Sequence, residues 1–157
     1  MPAGDDDGVM GRLREIGWRR LLKWVALGAV ALAALIQAVP YGRSHSNPPV
    51  RQEPAWDSQR TRELAVRACF DCHSNQTVWP WYTNVAPVSW LVQRDVTEGR
   101  ATLDFSEWGR PQEAALEAAE AFREGEMPPF QYTLIHPKAR LSDAEKAELV
   151  KGLEATR

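Results

Sequence analysis

The stretch ACFDCHSNQTVWPWY, from Ala68 to Tyr82, contains the only two cysteines of the chain and places a histidine directly after the second. Cys69, Cys72 and His73 form the pattern C-x-x-C-H. Covalent haem attachment needs this order, because two thiols add to the two vinyl groups and the adjacent imidazole reaches the iron. The sequence therefore predicts one covalently attached haem c, with His73 as an axial ligand.

Closely spaced cysteines also occur in other kinds of site. A zinc site needs a second pair of ligands at similar spacing, and the chain offers only His45 and His136. A thioredoxin-like dithiol opens a helix after a strand, whereas this motif ends a predicted helix. A Cys69–Cys72 disulfide in a haem-free interaction module is the remaining alternative.

The second axial position of the iron has three candidate states. Met127 lies in GEMPPF, between two predicted helices, where the two following prolines favour an extended loop across the haem face. His136, in TLIHPKA, is the alternative sixth ligand and would give a lower potential than a thioether. An open site is the third possibility. The sequence favours Met127.

The part of the chain after residue 57 is predicted to be mainly α, with short helices joined by long loops. Ser142 and Glu145 have capping-box spacing at the start of the last helix, and Asp57 or Ser58 can cap the helix that carries the cysteines. No run of alternating β-branched residues predicts a strand. Three segments have helical patterns: TRELAVRACFDCH, PQEAALEAAEAFREG and LSDAEKAELVKGLEA.

The N-terminal part predicts a membrane anchor. An apolar run from Leu21 to Pro40 follows a basic segment, and it just reaches the length of a transmembrane helix if Lys23 extends toward the headgroups. The basic residues are Arg12, Arg14, Arg19, Arg20 and Lys23. They predict a cytoplasmic N-terminus and a haem domain that faces the periplasm or exterior from a single-pass inner-membrane protein. A cleaved signal peptide is the alternative.

The predicted organisation has four parts. Residues 1–20 form a cytoplasmic segment, 21–40 the anchor or signal helix, 41–57 a proline-rich tether, and 58–157 the haem-binding domain. The formal net charge of -2 and the lack of a basic stripe argue against a nucleic-acid partner. The membrane is the expected partner through the N-terminal helix, and the sequence does not identify a redox protein partner.

The chain resembles the cytochrome c fold and, more closely, a family of small membrane-anchored bacterial proteins called the haem-binding domain family. The resemblance extends roughly from Asn47 to Leu153. It rests on the segments NPPV, EPAWDS, RACFDCHSN, VWPWYTNVAPVSW, DFSEWG, MPPFQY and IHPKARLSDAEK. It implies covalent haem at Cys69 and Cys72 with His73 as proximal ligand, and it aligns Met127 and His136 with the family's M-P-P and H-P segments.

Two functions follow from these expectations. In the first, the protein is a membrane-anchored electron carrier and not an enzyme, with the iron held by His73 and Met127. The aromatic side chains of Trp79, Trp81 and Tyr82 then keep the ring dry. In the alternative, an open or displaceable sixth position makes the protein a small-ligand sensor or a peroxidase-like protein.

Overall fold

A computed structural model describes the backbone of residues 6–156 and the side chains of residues 17–156. Residues 1–5 of the predicted N-terminal segment, and the side chains of Arg12 and Arg14, lie outside this description. The chain divides into two compact units, residues 1–40 and residues 41–157. In residues 6–156 the regular structure is helical, and the sole β pairing is an isolated parallel bridge between Gln52 and Glu107.

The first unit contains one helix, α1, which spans Asp6–Ile36. None of the helices in the described part of the chain is long and apolar enough to cross a membrane. The helix ends at Ile36, four residues before Pro40, so the uncharged part from Trp24 covers about 20 Å of a hydrocarbon core about 30 Å thick. A longer span would have to include Lys23, Arg20 and Arg19. The predicted transmembrane helix at 21–40 and the predicted single-pass inner-membrane location are therefore wrong.

The second unit begins its helical part with α2, Gln59–Ala68, and α3, Phe70–His73. The side chain of Ser58 caps α2 by accepting a hydrogen bond from the Thr61 amide at 3.1 Å. The sequence predicts one helix through the cysteine motif, but the backbone breaks at Cys69, where φ is −124°. The short helix α3 carries the rest of the motif and ends at His73.

The remaining helices are short except for two. The longer ones are α4, Val88–Thr102, and α7, Asp143–Ala155, and the predicted capping box of Ser142 and Glu145 begins α7. The shorter α-helices are α5, Ala118–Arg123, and α6, Phe130–Ile135. Turns of 3-10 helix lie at Trp81–Asn84, Glu113–Ala115 and Pro137–Ala139.

The core of this unit is built from α2, α3, α5 and α7 and from the residues that follow α4. Leu64 and Leu149 are fully buried, and Phe70 stacks on Phe105 with ring centroids 5.6 Å apart. Phe105 in turn stacks on Trp108 at 5.7 Å. This aromatic stack holds the residues that follow α4 against the helix of the cysteine motif.

The segment 41–57 lies along this unit and joins it by backbone hydrogen bonds. The amides of Arg51 and Gln52 donate to the carbonyl of Ser106 at 2.9 and 3.1 Å, and the Trp108 amide donates to the carbonyl of Gln52 at 2.9 Å. Gly42 has φ +83°, and a Cβ there would lie 2.2 Å from the carbonyl oxygen of Ser89. Close backbone contact with α4 therefore requires a glycine at this position.

Candidate functional site

Cys69, Cys72 and His73 lie on one face of the helical turn that forms the end of the motif. The amide of His73 donates to the carbonyl of Cys69 at 2.9 Å, and the amide of Cys72 donates to the same oxygen at 3.2 Å. Residues three and four positions apart in such a turn project to the same side. The turn thus presents two thiols and one imidazole together, as the sequence spacing predicts.

The His73 ring is oriented by two backbone carbonyls at the end of α4. Its Nδ1 lies 3.1 Å from the oxygen of Gly99 and 3.1 Å from that of Leu103. A carbonyl can only accept, so Nδ1 carries the proton and Nε2 keeps its lone pair. Burial lowers the pKa of His73, which favours this neutral form. The ring is therefore held with Nε2 as the nitrogen that is available to a metal, and ligation of the iron by His73 stays a prediction.

Gly99 also sets the distance between α4 and the cysteine motif. A Cβ at this position would lie 2.5 Å from the carbonyl oxygen of Cys72 and 3.1 Å from the Cys72 Cβ. Only a residue without a side chain permits this contact. The same glycine thus lets α4 approach Cys72 and supplies one of the carbonyls that hold His73.

The two thiols are free and partly buried. Burial raises the pKa of Cys69 to about 12. The pKa of Cys72 is also raised to about 12, first by burial and then by the charges of Asp95 and Asp71. Both sulfurs are therefore protonated at neutral pH. These are poor sites for spontaneous oxidation, because the thiolate is the reactive form in that chemistry.

Asp71, inside the motif, connects it to α6. Its carboxylate accepts a hydrogen bond from the Tyr132 hydroxyl at 2.6 Å and one from the Val78 amide at 2.9 Å. Tyr132 stacks on the His136 ring, with centroids 4.0 Å apart and an angle of 19° between the ring planes. The segment that carries both candidate sixth ligands is thus attached to the cysteine helix.

His136 uses both of its ring nitrogens within the protein. Nε2 lies 2.9 Å from the Tyr82 hydroxyl, and Nδ1 lies 3.0 Å from the carbonyl oxygen of Tyr132. Since the carbonyl is an acceptor, Nδ1 donates to it and Nε2 accepts the proton of Tyr82. In this arrangement the imidazole has no lone pair available for a metal.

Met127 lies in the loop between α5 and α6. Its amide donates to the carbonyl of Ala121 at 3.2 Å, and the residue is 40% exposed. Its assignment as sixth ligand stays a prediction. The structure groups Asp71, Tyr132 and His136 next to the cysteine motif and places Met127 ahead of α6 in an accessible loop.

Large apolar side chains are exposed on the elements next to the motif. The helix α4 contacts both α3 and the 3-10 turn at Trp81–Asn84, and α6 contacts α3 through Tyr132. The residues are Trp81 at 78%, Val88 at 38%, Leu91 at 57%, Phe130 at 75%, Leu134 at 54% and Ile135 at 60%.

These features fit a haem group. Two thiols and an oriented imidazole lie on one face, and apolar side chains for a flat hydrophobic ligand are on the neighbouring elements. The aromatic residues that follow the motif contact two different parts of the unit. Trp79 stacks on His45 at 4.9 Å and lies with the segment 41–57, whereas Trp81 and Tyr82 lie toward α6.

Sequence reasoning missed the residues that hold the ligands in place. The carbonyls of Gly99 and Leu103 lie at the end of α4, which is outside the three segments with a predicted helical pattern. The pairing of Asp71 with Tyr132 links residues far apart in the chain. Arg100, which could be considered for haem propionates, instead donates to the carbonyls of Ser74 and Ser46 at 2.8 and 2.9 Å.

Comparison with known proteins gives one family match. The model of the haem-binding domain family matches residues 31–155, which include the cysteine motif, Met127 and His136. Neither the curated proteins nor the solved structures gave a significant match.

Proposed function

The chain belongs to the haem-binding domain family, and from this membership we propose that it is a c-type haem protein that carries single electrons. Binding of haem is the property of the family. Covalent attachment at Cys69 and Cys72, ligation by His73 and Met127, one haem per chain and electron transfer are the proposal.

The orientation of the His73 ring is the observation that carries this proposal. Hydrogen bonds from Nδ1 to the carbonyls of Gly99 and Leu103, both 3.1 Å, leave Nε2 as the free nitrogen. The buried ring is also kept neutral, as a ligand must be. An imidazole that served only to fill the core would not need to follow two cysteines on the same helical face.

The cysteines supply the attachment. Each thiol adds across one vinyl group, so that sulfur bonds to one carbon and the thiol hydrogen goes to the other. Cys69 and Cys72 are free and protonated, and they therefore provide both the sulfur and the hydrogen that this addition consumes. The helical turn between them fixes the spacing of the two bonds.

Haem, when bound, supplies an iron that changes by one electron between its ferric and ferrous states. The residues of this chain contribute two ligands, His73 and Met127, and an apolar surround. Trp81, Leu91 and Phe130 are exposed on the elements next to the motif and can exclude water from the ring. With both axial positions filled by His73 and Met127 and water excluded, these residues would let the bound group exchange electrons with little rearrangement, and we assign no acid–base step to any of these side chains.

Replacement of Met127 tests the proposal. In protein made with haem-c maturation machinery, Met127→Ala should remove the weak far-red sulfur-to-iron band and make the oxidised form bind cyanide much faster than the parent. Met127→Leu, which keeps the bulk without the sulfur, should behave in the same way. Gln131→Ala is the matched control, because it truncates an exposed polar side chain on α6 in the same segment and should keep the band.

The same experiment separates the second candidate function. Met127 is 40% exposed as a residue, and this partial exposure is the observation that favours a displaceable sixth ligand. If the parent protein itself lacks the far-red band, is high-spin and binds cyanide as fast as Met127→Ala, the electron carrier is contradicted. A small-ligand sensor or peroxidase-like protein with a displaceable sixth ligand then becomes the better description.

A further inference from the structure

The segment from Met127 to His136 contains two side chains that can complete the coordination of a haem iron. Both flank α6, which the hydroxyl of Tyr132 joins to Asp71 of the cysteine motif at 2.6 Å. A thioether and an imidazole in this position would give proteins with very different potentials. Some property of the surrounding residues must therefore decide between Met127 and His136.

His136 is held by contacts on both edges and on one face of its ring. Tyr82 donates its hydroxyl proton to Nε2 at 2.9 Å, while Nδ1 donates to the carbonyl of Tyr132 at 3.0 Å. The Tyr132 ring covers one face at a centroid distance of 4.0 Å. Coordination by His136 would require loss of a hydrogen bond at whichever nitrogen bound the iron.

Tyr132 is itself fixed in place. Burial and the hydrogen bond to Asp71 raise the pKa of its hydroxyl, so that it remains a donor at all ordinary pH values. Asp71 also accepts the Val78 amide at 2.9 Å, which holds the carboxylate against the residues that follow the motif. The contacts that His136 makes with Tyr132 are thus anchored to the cysteine helix.

We propose that Tyr82 and Tyr132 are positioning residues that hold His136 away from the iron and so select Met127 as the sixth ligand. This inference rests on the proposed function. Of the two tyrosines, Tyr82 should have the larger effect on the choice of sixth ligand, because its hydroxyl donates to Nε2, the nitrogen at the outer end of the His136 ring. Met127 has no comparable constraint on its side chain, which is 40% exposed.

The Tyr82→Phe variant of the holoprotein tests the inference. Loss of one neutral hydrogen bond should raise the ratio of His136-ligated to Met127-ligated haem by roughly two- to tenfold. The far-red band should weaken, the iron should stay low-spin, and the reduction potential should fall. Asn84→Ala, on the same 3-10 turn, is the matched control, because it removes only an exposed side-chain hydrogen bond to the carbonyl of Trp81 within the turn, and it should leave the band and the potential unchanged.

A second substitution distinguishes ligand exchange from general damage. Introduction of His136→Ala into Tyr82→Phe should restore the far-red band and the parent potential, and His136→Ala alone should keep both. If the double variant does not recover the band, or if Tyr82→Phe leaves the band unaltered, then the tyrosines do not select the sixth ligand. Ligation of the iron by His73 and Met127 is not contradicted by either result. A parent without the far-red band overturns the ligand pair itself, and the selection with it.

Discussion

The contact between α4 and the cysteine motif gives the sharpest structural prediction. Gly99 lies against the backbone of Cys72, and its carbonyl also accepts the Nδ1 proton of His73 at 3.1 Å. In Gly99→Ala, the new Cβ would lie 2.5 Å from the Cys72 carbonyl oxygen, about 0.9 Å closer than the 3.4 Å of ordinary van der Waals contact. Because that atom belongs to the backbone, a side-chain rotation cannot relieve the overlap.

Two opposing effects determine the size of the change. An extra methyl group forced into a close backbone contact costs about 2–3 kcal/mol, while alanine is favoured over glycine inside a helix by about 1 kcal/mol. The net loss in free energy of unfolding should be about 1–2 kcal/mol. Movement of α4 away from Cys72 should also lengthen the hydrogen bond to His73 and change the reduction potential of the bound haem.

Denaturant unfolding of the parent and of Gly99→Ala, followed by circular dichroism, measures the loss, and a redox titration measures the potential. Gly109→Ala is the control, because the nearest atom to its new Cβ is the tip of the flexible Gln52 side chain at 2.8 Å. That variant should be close to the parent in both measurements. A Gly99→Ala protein as stable as the parent, with the same potential, would refute the role given to this contact.

Two further predictions concern the scaffold around the site. The hydrogen bond from Arg62, aided by those from Trp56 and Gln76, lowers the pKa of Glu53 from 4.5 to about 2. The ionised carboxylate therefore stabilises the fold fully above pH 4.5, and this stabilisation is lost as the pH falls toward 2. After allowance for solvent screening, Glu53→Gln should cost about 1–2 kcal/mol at pH 7 and almost nothing at pH 2, and pH-dependent unfolding checks this; a constant difference would contradict it. Gly152→Ala, inside α7, would place a Cβ 2.1 Å from the Oγ1 of the buried Thr61. With the same two opposing effects it should lower the free energy of unfolding by about 1–2 kcal/mol, and an added Thr61→Ala should recover part of that loss in the same unfolding assay.

The sequence predicted best what depends on neighbouring residues. The capping box at Ser142 and Glu145 begins α7, and Ser58 caps α2, because both caps use hydrogen bonds between residues a few positions apart. The mainly helical structure of the described residues also follows from local pattern. The pattern around Leu116 was less reliable. The segment PQEAALEAAEAFREG is predicted as one helix, whereas the structure divides it into a 3-10 turn and the short helix α5 and leaves Leu116 92% exposed.

The prediction of a transmembrane helix was wrong because composition does not show where the helix ends. The run from Leu21 to Pro40 is mostly uncharged, but the helix ends at Ile36, and toward the N-terminus the charges of Lys23 and Arg20 come too soon. A count of apolar residues does not show where a helix stops.

The arrangement of the candidate site was predictable only in part. The pattern C-x-x-C-H identified the three residues that share one helical face, since their spacing is local. The carbonyls of Gly99 and Leu103 come from a helix that the tertiary fold brings to His73, and a backbone acceptor has no residue-type signature. The contacts that engage His136 are equally non-local, because Tyr82 lies far from it in the chain.

The most direct test of the account is the intact mass of the protein after denaturation, when it has been made in a host with haem-c maturation machinery. The account predicts the mass of the chain plus one haem, located by peptide mapping on the fragment that contains Cys69 and Cys72, and no retained haem when both are replaced by serine. A denatured chain that carries no haem, or haem that persists in the double serine variant, would contradict covalent attachment at this motif.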